Sequence, residues 1–425
     1  MNASSAKKDF LSTQEAVELL SIRKETLYAY VSRGLVRNMV GGKTNRSRLY
    51  LKEDLLRLQT RSRVRSGHAA VAASAMNLGD PIVPTGITDI TPQGPQYRGR
   101  LAIDLAQQLV DFEQVAELLW TGLWHPDSIR WRTTEVAARP PLFLKSVKAL
   151  DAQTQLIELF SVATLSQSFG RGALEDRLLA GHTLDAARQI FLTLVGCFGY
   201  IGPTRRYKAP SSRWNLAGNL LRAMGKTVAP EQLQLLNQAL ILLADHELSP
   251  GTLSARVAAS SGSSLHSCLS AAMATSSGTE VAQVYGRIDA FLTAHGTQQR
   301  LISRTRHLLD NGLQVPGFEH PLYPQGDPRA LFLLEQLRHS PSISCETKNV
   351  IRWIDFVQSQ KGVHARHELA LVVTCRSMGL APQAPAAIFV LSRVAGWVAH
   401  ILEQRLSGTL LRPRAKFIAS SPAMG

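Results

Sequence analysis

Apolar positions recur at helical spacing along most of the chain, in stretches separated by Gly, Pro and Ser. Near the start, Ser12 and Glu15 stand three apart, as in a capping box. Ala16, Leu19 and Leu20 then follow with helical period, which predicts a helix over about Thr13–Leu20. A tight connection at Ser21-Ile22 leads into a second predicted helix, Lys24–Ser32, which Gly34 can end in a left-handed cap. Val36–Val40, the pair Gly41-Gly42 and Ser47-Arg48-Leu49-Tyr50 then read as a two-stranded wing, with Leu51–Leu58 as a closing helix. Helix, short turn and helix within about 20 residues is the footprint of a helix-turn-helix.

Further on, Gly94 and Gly99 mark turns, and Phe112, Ala116 and Leu119 lie on one helical face. Residues 203–214, rich in Pro and Ser, are predicted to form a loop without regular structure. Successive helices fill the rest, and Ala386–Leu402, apolar almost all round, is predicted to be central. No internal repeat period appears. Ala and Leu dominate the apolar residues while aromatics are only 6%, which favours tightly packed helices over sheets. The predicted class is all-α, and 425 residues suffice for two or three cores.

Charge sharpens the division. Of a net +15, residues 1–68 carry 14 Lys/Arg against 6 Asp/Glu, so about half the excess sits in the first sixth of the chain. Arg23, Lys24, Thr26, Tyr28, Tyr30 and Arg33 lie on or beside the second helix, donors suited to phosphates and base edges. The alternative is a basic oligomerisation element or a solvated cap. The run Arg57–Arg65 reads as a solvated linker, or as a strip lying along DNA phosphates. Cys197, Cys268, Cys345 and Cys375 are scattered without a C-x-x-C pair, which suggests neither a zinc site nor a disulfide framework. The polar N-terminus lacks a signal core, and the nearly apolar run around Ile190–Ile201 falls short of the ~18 residues that span a bilayer. A cytoplasmic protein without membrane contact is expected.

The segment Gln314–Ala330, QVPGFEHPLYPQGDPRA, holds His320 and Arg329 nine positions apart on a Gly/Pro-shaped loop, where together they can grip a small carboxylate. With Ala244-Asp245-His246-Glu247, Ser392-Arg393 before a Gly-Trp, and Leu411-Arg412-Pro413-Arg414, it resembles the citrate synthase family over roughly residues 80–418. Tyr97-Arg98-Gly99 and Val115–Leu119 match scaffold positions of that family. The opening TQEAVELLSIRKETLYAYVSRGL similarly resembles the winged helix-turn-helix modules of MerR and excisionase type.

The resemblance implies a helical body that condenses acetyl-CoA or propionyl-CoA with oxaloacetate, giving citrate or 2-methylcitrate, with acyl-CoA as substrate and no cofactor or metal. It implies that His246 hydrogen-bonds oxaloacetate and His320 polarises its keto oxygen. Arg329, Arg393 and Arg412 would bind the carboxylates, the last across a homodimer interface. The carbon-acid machinery departs from the family: the enolate-stabilising histidine falls on Val281, the catalytic aspartate on Glu368, and the second glycine of GFGH on Glu319. His364, His367 and His266 are weighed as replacement donors, although His367, next to Glu368, is expected to face elsewhere. The expected domains are a winged helix-turn-helix at 9–66, a large domain at 67–281 and 377–425, and a small domain at 282–376. Two function classes stay open: a condensing enzyme of reduced activity with Glu368 as base, and a catalytically dead DNA-binding regulator that senses oxaloacetate or citrate.

Overall fold

The computed structural model describes residues 10–20, 22, 24–32, 36, 38–40, 48–52, 55, 83–133, 137, 144, 147, 150, 155–169, 180–341 and 343–413. It divides into two compact units, 1–83 with 412–425, and 84–411.

The first unit runs β1 (Phe10–Ser12), α1 (Thr13–Leu20), α2 (Lys24–Ser32), β2 (Asn38–Val40) and β3 (Arg48–Leu51). The capping box forms as its spacing predicts: Ser12 N donates to Glu15 Oε2 at 2.7 Å, and Glu15 N donates to Ser12 Oγ at 3.3 Å. Both helices have the predicted limits. The wing gains a strand that the pattern did not show, because Phe10–Ser12 joins antiparallel to β3 and makes it the middle strand. Ala16, Leu20, Leu27, Val36, Tyr50 and Leu55 form a core of their own. Of the closing helix, Lys52 and Leu55 are described, both helical. Gly34, Gly41, Gly42 and the Arg57–Arg65 run lie outside the described residues.

The second unit opens with a small antiparallel sheet, Thr88–Thr91, Gly94–Tyr97 and Arg100–Leu101, whose turns fall at the predicted glycines. The sheet anchors helix ends. Tyr97 Oη donates to Ile241 O at 3.0 Å, and Arg98 Nη2 donates to Leu119 O at 3.0 Å, each meeting a carbonyl in the last turn of its helix. Residues 203–214 form turns and irregular chain, as predicted. The remainder is helical. Ala384–Ser407 is long and apolar enough to cross a membrane, but it is buried among Phe112–Thr121, Ala180–Cys197, Pro250–Ser260 and Leu265–Ser276 as the core helix.

One close approach positions the site. A Cβ on Gly396 would lie 2.0 Å from Asp245 Oδ1, so only glycine lets the Ala244–Glu247 loop rest on the core helix. Gly396 N donates to Ala244 O at 3.0 Å, and His400 Nε2 lies 3.2 Å from Asp245 Oδ2. These contacts hold the residue before His246.

Candidate active site

The Gly/Pro loop is shaped by its backbone. Gly317 takes φ +87°, and a Cβ there would lie 2.7 Å from Leu369 Cβ. The loop then zips onto the segment before the helix His367–Ser377: Arg366 N donates to Gly317 O at 2.8 Å and Glu319 N to His364 O at 3.0 Å. Asp327 joins two helix starts. Its Oδ1 accepts from Arg329 N at 3.1 Å, capping Pro328–His339, and its Oδ2 accepts from His367 N at 3.2 Å. The same carboxylate takes Arg329 Nε at 2.9 Å and Nη2 at 2.8 Å, a fully buried bidentate pair.

Around Arg329 the histidines gather. The ring of His320 lies 5.6 Å from that of His246, 5.0 Å from Tyr323 and 5.9 Å from His367. Phe389 continues the wall, 5.8 Å from the His367 ring and 4.9 Å from the Arg393 guanidinium. Four of the five clamp residues read from sequence, His246, His320, Arg329 and Arg393, therefore share one buried cluster. Arg412 is exposed and falls outside the unit 84–411.

The cluster's electrostatics lower the pKa of each of its histidines. Burial, reinforced by the Arg329 charge, pushes His320 down to about 4. Burial and the charges of Arg329 and Arg393 hold His246 well below its usual value, and burial lowers His367 as well. Leu322 N donates to His320 Nδ1 at 3.2 Å, so the neutral ring carries its proton on Nε2. Arg329 Nη2 lies 3.4 Å from that Nε2, leaving two donors side by side with no acceptor between them. An oxygen atom of a ligand fits there. Arg329 Nη1 and Arg393 Nε and Nη1 are also buried without a partner among the described residues. A buried donor left unpaired costs about 1–3 kcal/mol, so several of them in one cluster suit an anion with several oxygens.

Three ligand-type atoms, from His320, Asp327 and His367, lie within 4.8 Å of one another, close enough for a metal ion. The Arg329 guanidinium stands among them, 3.0 Å from His367 Nδ1 as well as 2.8 Å from Asp327, and so supplies the positive charge a metal would bring.

His367 does not face elsewhere, as expected from its place beside Glu368. It opens its helix, and its Nδ1 turns back to Asp327 Oδ2 and Glu368 Oε2, each at 3.2 Å. Glu368 is buried and bound by the Arg366 guanidinium. Burial would raise its pKa, but His367 and Arg366 outweigh that and keep it ionised. Val281 caps the helix Ala282–His295 without a side-chain hydrogen bond, and packs half-buried on the core. His266 is buried on Leu265–Ser276.

A cleft of about 550 Å³ adjoins the cluster, lined by Phe318, Glu319, His320, Tyr323, His364 and Arg366 among others. His364 and Glu319 thus sit at its wall. Sequence reasoning missed Asp327, which reads as part of a turn, and Tyr323 and Tyr285, which read as ordinary helix or loop aromatics. In the first unit, Lys24 and Tyr28 are exposed on α2, the ammonium 5.9 Å from the phenol ring, and Thr26 is half-buried. Arg23 and Arg33 lie outside the described residues.

A helical body around a cluster of two buried arginines and three histidines defines the class as an all-α protein with a cationic interior site. The family profile "Citrate synthase, C-terminal domain" matches residues 78–414, and the chain belongs to the citrate synthase family. A second profile, "Helix-turn-helix domain", matches residues 10–63. Citrate synthase 2 of Bacillus subtilis (strain 168) is 32% identical over 228 residues, taking in 53% of this chain and 61% of that one. The citrate synthase of Haloferax volcanii is 27% identical over 340 residues, 76% of this chain and 88% of that relative. Among solved structures, the Thermoplasma acidophilum citrate synthase in ternary complex with carboxymethyl coenzyme A and oxaloacetate superposes with a TM-score of 0.67 at 20% identity, covering 81% of this chain and 96% of that one.

Proposed function

We propose that the cluster binds oxaloacetate and condenses an acyl-CoA, acetyl or propionyl, upon it, at a rate well below that of an enzyme with a histidine at position 281. The observation that carries the reading is the set of buried unpaired donors Arg329 Nη1 and Arg393 Nε and Nη1, in the same cluster as the half-buried His320, whose Nε2 lies 3.4 Å from Arg329 Nη2. Two guanidinium groups match the carboxylates of oxaloacetate. His320, neutral and protonated on Nε2, donates to the keto oxygen without giving up a proton beforehand. Glu368 is the base for the acyl carbon, and its pairing with Arg366 lowers its basicity. The cleft beside His320 receives the acyl-CoA, with Glu319 at its wall as a poor neighbour for phosphates. A homodimer would supply Arg412 from the second chain, and Val162, Leu165 and Phe169, 52%, 41% and 87% exposed, offer apolar surface for one.

The test is thiol release from acetyl-CoA and propionyl-CoA with oxaloacetate. The reading expects slow release that depends on oxaloacetate and rises in a Val281→His variant. Release at ordinary citrate synthase rates removes the claim of reduced activity, and none at all removes the condensing role.

A second reading is a ligand-sensing DNA-binding regulator. It is favoured by the separately cored helix-turn-helix, with Lys24 and Tyr28 exposed on its second helix, and by the Arg366 grip on Glu368. It expects selection of a roughly palindromic site from random DNA, with an affinity that falls steeply with salt and changes on adding oxaloacetate or citrate. Weak binding to all sequences, unaffected by ligand, removes it.

A further inference from the structure

We infer that Tyr285 supplies the hydrogen bond to the thioester oxygen that Val281 cannot; the inference rests on the condensing reading above. Tyr285 lies one turn beyond Val281 on the same face of the helix Ala282–His295, which packs on both the Glu368 helix and the core helix that carries Arg393. Its side chain is 1% exposed, and its ring lies 5.5 Å from that of Phe389, the residue that also touches His367 and Arg393. The phenol therefore belongs to the wall of the cluster. Its Oη is buried and has no hydrogen-bond partner among the described residues, an arrangement that costs stability unless a ligand completes it. The charged groups that act on it are Glu368, Arg393, Arg329 and Arg366, those of the site itself. Burial raises its pKa well above the ordinary value, so it remains a donor at every working pH.

The step it would serve is enolisation. A C–H bond of the acyl carbon breaks, its proton passes to the Glu368 carboxylate, and the electron pair forms a C=C bond while the thioester carbonyl oxygen takes the negative charge. The phenol donates to that oxygen and keeps its own proton.

Tyr285→Phe keeps the ring against Phe389 and deletes only the hydroxyl. The expected result is a fall in kcat for thiol release of about a hundred- to a thousandfold, with the KM for oxaloacetate unchanged. The melting temperature should not fall, since the lost hydroxyl had no protein partner. Adding Val281→His to this variant should restore part of the rate by supplying a donor from the neighbouring turn. The inference is overturned if an active wild type and Tyr285→Phe share the same kcat, which reduces Tyr285 to packing. It is also overturned if the variant loses oxaloacetate binding or melts earlier, which places the hydroxyl in the clamp or the fold. A wild type that binds oxaloacetate but releases no thiol overturns the condensing reading itself, an outcome recognisable before any variant is made.

Discussion

At position 319 the backbone is left-handed, with φ +62°, where a Cβ costs about 1–2 kcal/mol and glycine is at ease. The side chain is exposed at the wall of the cleft. Glu319→Gly should therefore stabilise the body by about 0.5–1 kcal/mol after glycine's larger unfolded-state entropy is counted. Chemical denaturation checks this, and a destabilised variant would mean that the carboxylate makes a useful contact. Asp327 should behave in the opposite way. It is buried between two helix starts and neutralises Arg329, so Asp327→Asn leaves a buried guanidinium half-paired and should cost about 3–5 kcal/mol. The same instrument reads both. The clamp side chains were legible because each sits in a short motif whose spacing survives in one sequence. Asp327, Tyr285 and the inward turn of His367 were not: the fold brings Asp327 and His367 together from 40 positions apart, and helical period alone assigns a buried tyrosine to the core.

At the scale of the element, glycine decides how the Ala244–Glu247 loop meets the core helix. Gly396→Ala would drive a methyl group into Asp245 and should destabilise by about 1–3 kcal/mol, while also displacing His246. Loss of stability without any weakening of oxaloacetate binding would separate the two effects and contradict the positioning role. The capping box of α1 is the corresponding test in the first unit, where Ser12→Ala should cost about 1 kcal/mol of that unit's stability. Helix limits there were readable because cap and apolar period agree along the sequence. Strand β1 was not readable, because three residues show no alternation until β3 pairs with them.

For the whole molecule, the buried histidines set the acid limit. His246, His320 and His367 all bind protons less readily folded than unfolded, so their contribution is fully present above about pH 6.5. It is lost as pH falls, for His320 through a window that ends near 4. Asp327 and Glu368, whose folded pKa values are depressed, lose their contribution further down that range. Melting temperature should be level from pH 7 to 8 and fall steadily below about 6.5, more gently in His320→Gln. If DNA and oxaloacetate are coupled, each must change the other's affinity by the same factor. The central claim, that the cluster is a polycarboxylate clamp, is tested most directly by calorimetric titration of oxaloacetate into the wild type and Arg393→Gln. Arg393 is the better probe, because Arg329 also holds Asp327 in the fold. Saturable binding by the wild type is expected, weakened on the order of ten- to a hundredfold in the variant. No binding by the wild type, or equal binding by the two, would contradict it.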